Sequence, residues 1–145
     1  MGILSTELDV DAVLGTDGII KQEIADFRPR QSQLEMSRLI NSSIENGQSQ
    51  LIEASTGIGK SFAYLVPVFL SNKKVVISTG TKNLQDQLFY KDIPLIKRIV
   101  VNSRKTALLK GRSNYCCPYR IELYRHQKQS QSREMASLFT ALHEW

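Results

Sequence analysis

The sequence lacks the features that would place it among membrane, secreted or disulfide-rich proteins. Its 145 residues hold only two cysteines, Cys116 and Cys117, and two adjacent cysteines do not make a disulfide framework. No apolar run approaches the roughly 20 residues that span a bilayer. The acidic N-terminus, Met1–Asp11, has no basic stretch followed by an apolar one, as a secretory signal would. We therefore expect a cytoplasmic protein without membrane association.

The composition is that of an ordinary globular protein about one domain long. Hydrophobic residues make up 41% and charged residues 23% of the chain, which excludes a disordered or low-complexity class. The net charge of +5 favours a polyanionic partner only mildly, because many basic proteins never bind nucleic acid.

The most informative stretch is a glycine-containing turn placed before an apolar helix. Its residues predict a P-loop that binds ATP or a similar nucleotide, because the N–H groups of such a turn hold phosphates at a helix N-terminus. Lys60 is expected to reach the β- and γ-phosphates, and Ser61 to coordinate Mg²⁺, which makes these two the predicted catalytic residues. Alanine stands where the motif ordinarily begins with glycine, and a chance turn is the alternative. The predicted nucleotide-binding residues of the turn are Ala54, Ser55, Thr56, Gly57, Ile58, Gly59, Lys60 and Ser61.

The pattern of apolar residues around this turn predicts an α/β fold. Steps of three and four residues indicate a helix over 31–46 that ends at Gly47, and further helices are predicted over 60–70 and 82–90, the last one stopping near Pro94. Short apolar or β-branched runs predict parallel strands over 50–54, 74–79 and 106–109. Residues 1–26 are expected to form two short helices.

Four segments, taken together, resemble the DinG/YoaA-type helicases, which are XPD-like, iron–sulfur DNA helicases of superfamily 2. The resemblance covers residues 27–120 in order. The segments are Phe27-x-Pro-Arg-x-x-Gln33-x-x-Met36, the P-loop with the preceding Glu53, the run Ser78-Thr-Gly-Thr-Lys-Asn-Leu-Gln-Asp-Gln-Leu88, and Leu109-Lys-Gly-Arg-Ser-Asn-Tyr-Cys-Cys117.

This resemblance implies a fold and an activity. The fold is an incomplete P-loop (RecA-like) parallel sheet flanked by helices, followed by the start of a helical iron–sulfur domain. The activity is ATP-dependent 5′→3′ DNA unwinding in DNA repair, with ATP and Mg²⁺ as cofactors and single-stranded or forked DNA as partner. Arg30 and Gln33 then belong to the nucleotide site, with Gln33 reading the adenine. Without the resemblance, Gln33 would be an exposed polar residue of its helix.

The resemblance also implies a DNA contact and a metal ligand. The residues that would hold the phosphates of the single strand are Thr79, Gly80, Thr81 and Lys82, although Thr81 could equally cap the following helix. Cys117 corresponds to the first of four cysteines that hold a [4Fe–4S] cluster in the family. No cysteine follows it here, and a single thiolate cannot hold such a cluster, so a pair of free thiols is the alternative.

Two parts of the family's machinery are missing from the sequence. No Asp-Glu-Ala-His motif follows the P-loop, and a second RecA-like domain is absent. We therefore expect an N-terminal helicase fragment that is inactive alone, with a helical segment over 1–26, the first part of an ATP-binding domain over 27–110 and the start of the iron–sulfur domain over 111–145. The alternatives are a non-catalytic nucleotide- and DNA-binding remnant, or an unrelated small P-loop ATPase or kinase.

Overall fold

A computed structural model describes residues 8–71, 73–102, 104–126, 137, 140 and 141. The chain divides into two compact units, Met1–Thr106 and Ala107–Trp145. Part of the predicted iron–sulfur region, residues 127–136, 138–139 and 142–145, lies outside the described residues. In the second unit the structure describes a short 3₁₀ turn, Arg112–Asn114, and a helix, α7, over Pro118–His126.

The described part of the first unit is built from helices. They are α1 (Val10–Leu14), α2 (Ile20–Glu23), α3 (Gln31–Asn46), α4 (Lys60–Leu70), α5 (Lys82–Gln87), a π-helix (Leu88–Asp92) and α6 (Ile93–Ile99). The two short helices expected near the N-terminus are α1 and α2.

The prediction of α3 from apolar spacing is confirmed, including its end, and so is the prediction of an apolar helix, α4, after the turn. Gly47 follows its last residue with φ +66°, and its N–H donates to the carbonyl of Ser43. Glycine adopts this left-handed conformation without steric cost, which is why it ends helices so often. The buried face of α3 differs from the apolar stripe, however. Gln33 and Ser37 are buried, while Leu39 on the stripe is 48% exposed.

The predicted stop near Pro94 is wrong, because the helical run continues from α5 through the π-helix into α6. The N–H of Ile93 donates to the carbonyl of Leu88, five residues earlier. Pro94 has no N–H of its own to continue the α-helical pattern, and the wider π turn precedes it at the start of α6. A proline near the first turn of a helix removes no needed donor, so α6 extends to Ile99.

The expected parallel sheet is wrong: the residues that the structure describes contain no β-strand. The three segments predicted as strands, 50–54, 74–79 and 106–109, leave large apolar side chains in solvent. Leu51 is fully exposed, and Val76 and Leu109 are 94% and 83% exposed. A strand exists only through hydrogen bonds to a neighbouring strand, and β-branched residues favour a pleated surface only when such neighbours are present. These segments have the residue composition of strands but no hydrogen-bonded neighbouring strand among the described residues.

The core of the first unit forms around α4. This helix packs against α1, α3 and α6, so its apolar side chains are covered on several sides. The buried apolar residues are Val10, Val13, Leu14, Ile20, Leu65, Val66, Phe69, Leu88, Ile96 and Ile99. Full burial of each large side chain contributes about 1.5–3 kcal/mol. The helix that follows the predicted P-loop is therefore the most firmly held element that the structure describes.

An ion pair at the surface ties α1 to α3. The Nε of Arg38 lies 3.0 Å from Oδ2 of Asp11, and the second guanidinium nitrogen reaches Oδ1. The hydrogen bond from Arg38 lowers the pKa of Asp11, partly opposed by desolvation. No described helix is both long and apolar enough to cross a membrane.

Candidate functional site

The predicted phosphate-binding turn depends on two glycines in a conformation that other residues avoid. Gly57 and Gly59 both have φ +83°, and Gly59 is the N-cap of α4. Its carbonyl begins the helix by accepting from the N–H of Ala63 at 3.2 Å. Left-handed residues alternating with right-handed ones direct successive N–H groups to one side, a concavity that suits anions. Immediately after it, the N–H groups of the first turn of α4 have no partner within the helix.

Gln33 of α3 contacts this turn directly. Its Nε2 donates to the carbonyl of Gly59 at 2.9 Å, across 26 residues of sequence, and the side chain is only 2% exposed. The alternative of an exposed polar residue is therefore wrong. An ideal Cβ added to Gly59 would lie 2.3 Å from that nitrogen. Gly59 is thus required twice, by its backbone angle and by the approach of the Gln33 amide.

Lys60 folds back over the loop that precedes it. Its Nζ donates to the carbonyls of Ala54 at 3.0 Å and Ser55 at 2.8 Å, which places the ammonium group across the mouth of the turn. A positive charge held there is suited to a phosphate. The two hydrogen bonds of this side chain close the loop.

Ser61 lies beside a polar group that the sequence analysis did not identify. Tyr64, one turn further along α4, is half-buried, and burial raises the pKa of its hydroxyl. A hydrogen bond with the Ser61 side chain opposes that rise, and the charge of Asp92 adds to it. Asp92 is 9% exposed and accepts from Nε2 of Gln87 at 3.1 Å. Tyr64 is therefore a polar neighbour of Ser61 on the same face of α4.

The other predicted nucleotide and DNA residues do not all join this group. Arg30 is exposed at the N-cap of α3, with its role left as a prediction. Thr81 caps α5, since its Oγ1 accepts from the N–H of Leu84 at 3.3 Å. The Oγ1 of Thr79 donates to the carbonyl of Thr81 at 3.3 Å, while Gly80 and Lys82 are exposed. The cap alternative is therefore observed, and a phosphate contact is still a prediction.

The cysteine pair lies at the start of α7 in the second unit. Both thiols are free and exposed, and the carbonyl of Cys117 accepts from the N–H of Ile121 at 3.0 Å. Within the described part of the chain, no three histidine, cysteine or acidic side chains group around a metal site. Two cysteines cannot supply the four thiolates of a cubane cluster, so the residues present do not fit that cofactor.

Comparison with curated proteins agrees with the resemblance inferred from the motifs. The chain is 48% identical over 116 residues to the ATP-dependent DNA helicase YoaA of Haemophilus influenzae, an alignment that covers 80% of this chain. It is 34% identical over 125 residues, or 82% of this chain, to the ATP-dependent DNA helicase DinG of Escherichia coli. The chain is related to the YoaA/DinG-type helicases. The resemblance predicted from the four segments is thereby confirmed.

The YoaA/DinG relatives are much longer than this chain. The alignment spans 18% of the Haemophilus YoaA and 17% of the Escherichia DinG. A third relative, 34% identical over 118 residues and covered to 13%, is the 3′–5′ exonuclease DinG of Bacillus subtilis. Relatives of this type therefore carry names for more than one activity. No family model and no solved structure matches the chain.

Three contributors to the site were missed by the sequence analysis of this YoaA/DinG relative. Tyr64 had a usable signal, because residues three apart on a helix lie on one face and Ser61 was already identified. Asn102 and Arg104, which hold the other end of α4, carry no local signal. They lie more than 30 residues beyond the carbonyls they contact, and only the folded chain brings them there.

Proposed function

We propose that this chain contributes the nucleotide-binding segment of an ATP-dependent DNA helicase of the YoaA/DinG type. The observation that carries the proposal is the turn before α4, where Gly57 and Gly59 have φ +83° and Lys60 lies over the loop. The names of the relatives support ATP as the nucleotide and DNA as the substrate. Unwinding in the 5′→3′ direction, DNA repair and a cytoplasmic location belong to the whole protein in this proposal.

Within the proposal each side chain of the turn has a separate role. Lys60 binds the β- and γ-phosphates, and the N–H groups of residues 54–61 surround the phosphate oxygens. Ser61 provides a hydroxyl for Mg²⁺, which neutralises phosphate charge when bound. Tyr64 keeps that hydroxyl oriented. Gln33 supports the turn through Gly59. Its amide, which offers both a donor and an acceptor, is proposed to read the adenine together with Arg30.

Equilibrium binding of a fluorescent ATP analogue to the 145-residue chain tests the nucleotide site. Lys60→Ala is expected to weaken binding at least about tenfold, because a charge-assisted contact contributes roughly 1.5–3 kcal/mol. Lys74→Ala is the matched control, since Lys74 is an exposed lysine outside the turn and its loss should change the affinity little. Equal binding by the wild type and Lys60→Ala, or none by either, would refute the nucleotide site.

The DNA contact is proposed for Thr79, Gly80, Thr81 and Lys82. Lys82 is exposed at the start of α5, where a single phosphate contact would contribute to affinity and to its salt dependence. Fluorescence anisotropy with a labelled single strand should show weaker binding for Lys82→Ala and a salt slope smaller by about 0.7, the value for one phosphate. Lys91→Ala, in the same helical run, is the control. An unchanged slope in Lys82→Ala would contradict this contact.

Two finer points of the proposal concern catalysis and the cluster. We expect the chain by itself to bind nucleotide without appreciable hydrolysis, because it carries no Asp-Glu-Ala-His motif to position water and metal. Multiple-turnover ATP hydrolysis that Lys60→Ala abolishes would contradict this expectation. Residues 27–110 are assigned to the ATP-binding region and 111–145 to the start of the iron–sulfur region. Cys117 would ligate the cluster only in the whole protein, because the 145 residues hold too few cysteines for it.

A further inference from the structure

The C-terminal end of α4 is held by two residues from a distant part of the chain. The Nδ2 of Asn102 donates to the carbonyl of Phe69 at 2.8 Å. The guanidinium of Arg104 donates to the carbonyls of Val68 at 3.3 Å and Lys73 at 3.2 Å, and it also reaches the carbonyl of Ser71. We call Asn102 and Arg104 the clasp.

The clasp satisfies groups that the helix cannot satisfy itself. The last carbonyls of a helix have no partner within it and carry partial negative charge. Arginine is permanently charged and offers five donors in a planar fork, so one side chain can bind the carbonyl of Val68 in the last turn and those of Ser71 and Lys73 just beyond it. The carbonyl of Val68 also accepts from the Ser71 hydroxyl at 2.9 Å. A cation and an amide therefore anchor the segment in which α4 ends.

The clasp is itself held in place from two directions. The Oδ1 of Asn102 accepts from the backbone N–H of Arg104 at 2.8 Å, so the two residues support each other. Lys97 of α6 donates from Nζ to the carbonyl of Arg104 at 2.6 Å. Both clasp side chains are partly buried. The arrangement is thus connected to α6, whose Ile96 and Ile99 belong to the core.

The turn at Val101, between α6 and the clasp, has a strained backbone conformation. After α6, Val101 has φ +47°, while its N–H donates to Arg98 and the N–H of Asn102 donates to Lys97, at 3.3 and 2.9 Å. This is the geometry in which glycine ordinarily ends a helix. A β-branched residue in the left-handed region is an outlier that persists only where its surroundings require it. Strain of this kind points to a conformation that the local sequence alone would not hold.

We infer that Asn102 and Arg104 are positioning residues for the phosphate-binding turn, acting through α4. The helix is 11 residues long and carries Lys60 and Ser61 at one end and the clasped carbonyls at the other. A shift at the clasped end therefore moves both side chains and the N–H groups of the turn. The link to nucleotide affinity rests on the proposed function, while the link to the geometry of the turn does not.

Amide hydrogen exchange on the full chain, without nucleotide, tests the positioning directly. In Arg104→Ala and Asn102→Ala the amides of residues 57–61 should exchange about five times faster or more, as well as those around residues 68–73. Arg104→Lys should lie between these variants and the wild type, because it keeps the charge and loses the fork. Arg98→Ala is the matched control. Arg98 is an exposed arginine of the neighbouring helix, paired with Glu23 at 3.5 Å, and its loss should leave the turn unchanged.

Ile20→Val separates positioning from general destabilisation. Ile20 is fully buried in α2, and the substitution loosens the core without touching the clasp. The exchange rates of Ile20→Val and Arg104→Ala are compared at the same distance below the Tm of each variant. If Ile20→Val then accelerates exchange in residues 57–61 as much as Arg104→Ala does, the inference is overturned. Acceleration confined to residues 68–73 would overturn it as well.

The affinity for the fluorescent ATP analogue provides the second readout. Arg104→Ala should raise the Kd about fivefold, whereas Arg98→Ala and Ile20→Val should leave it within the error of the wild type. An unchanged Kd together with faster exchange at the turn would contradict the positioning of Lys60 and Ser61. If the wild type itself binds no nucleotide, the proposed function is refuted, and the exchange experiment still decides the role of the clasp.

Discussion

The two ends of α4 are secured by different means. At the N-terminal end, Gly59, Lys60 and the loop carbonyls are neighbours in sequence, and Gln33 is the one distant contributor. At the C-terminal end both contributors, Asn102 and Arg104, come from beyond α6. The contrast shows that the predicted phosphate-binding turn can be recognised as a motif, while the residues that hold the other end of its helix carry no motif.

The N-terminal end also tolerates substitution less, because it depends on glycines, at which any substitution adds a side chain. The C-terminal end depends on side chains that can be shortened one at a time. Substitutions at the two ends, compared with matched controls, should therefore differ in size.

Gly59→Ala should be the most damaging change. The new Cβ would lie 2.3 Å from Nε2 of Gln33, whereas at Gly57 nothing lies within 4 Å of an added Cβ. Both positions have φ +83°, so Gly57→Ala measures the backbone strain alone, about 1–2 kcal/mol. Displacing the Gln33 amide adds the loss of a buried hydrogen bond, which brings Gly59→Ala to about 3 kcal/mol.

Denaturant unfolding of five chains checks this prediction: the wild type, Gly57→Ala, Gly59→Ala, Gln33→Ala and the double variant of Gly59→Ala with Gln33→Ala. The double variant should lose less stability than the sum of its two single changes, because the clash partner is gone. Additive free energies in that cycle would mean that Gly59 is required for its backbone angle only.

Asn102→Ala should have the next largest effect, at the opposite end of α4. It removes the donor to Phe69 and the acceptor for the N–H of Arg104, a loss of about 1–2 kcal/mol. Asn41→Ala is the comparison, since Asn41 donates to Glu45 at 2.8 Å on the exposed side of α3 and such pairs contribute only about 0.2–0.5 kcal/mol. Thermal unfolding of both variants measures the difference, and equal shifts in Tm would show that the clasp adds nothing beyond a surface contact.

Val101→Gly should increase stability, the reverse of the usual effect of adding a glycine. Val101 is 91% exposed and has φ +47°, so glycine removes strain and gives up almost no packing. The relief of about 1–2 kcal/mol exceeds the roughly 0.5–1 kcal/mol that glycine costs through the unfolded chain. Val76→Gly supplies the contrast, because Val76 is 94% exposed without a positive φ. A gain in Tm for Val101→Gly and a small loss for Val76→Gly is the expected pair of results.

Asp11→Asn should have the smallest effect, and one that depends on pH. Because Arg38 lowers the pKa of Asp11 from its ordinary 3.8 in the folded chain, the ion pair stabilises the fold above that value. This contribution is lost as the pH falls through the folded pKa. Asp11→Asn should therefore be slightly less stable than the wild type at pH 7, and the difference should shrink below pH 3.8. Unfolding experiments across this pH range measure the difference, and a gap between Asp11→Asn and the wild type that stays constant with pH would contradict the prediction.

Local patterns predicted α3 and α4 well, the helical run around Pro94 in part, and the strands badly. The bounds of α3 and α4 follow from apolar spacing, Gly47 and the turn before Lys60, since a helix makes its hydrogen bonds within its own segment. The runs at 50–54 and 74–79 have strand composition, yet a strand needs partners that a local pattern cannot supply. The helix end predicted near Pro94 failed for a related reason. The π turn before the proline accommodates its missing N–H, so the helical run continues through it.

By itself the sequence determined the chemistry of the turn and the family to which the chain is related. The turn over residues 54–61 needs glycines that adopt φ +83°, followed at a fixed spacing by a lysine and a serine. All of these residues lie within one short segment, so the sequence alone shows them. Only the tertiary structure decided that Gln33 is buried against Gly59, that Asp92 lies near Tyr64, and that Asn102 and Arg104 hold the far end of α4. These contacts join residues distant in the chain, and burial sets their strength by removing competing water.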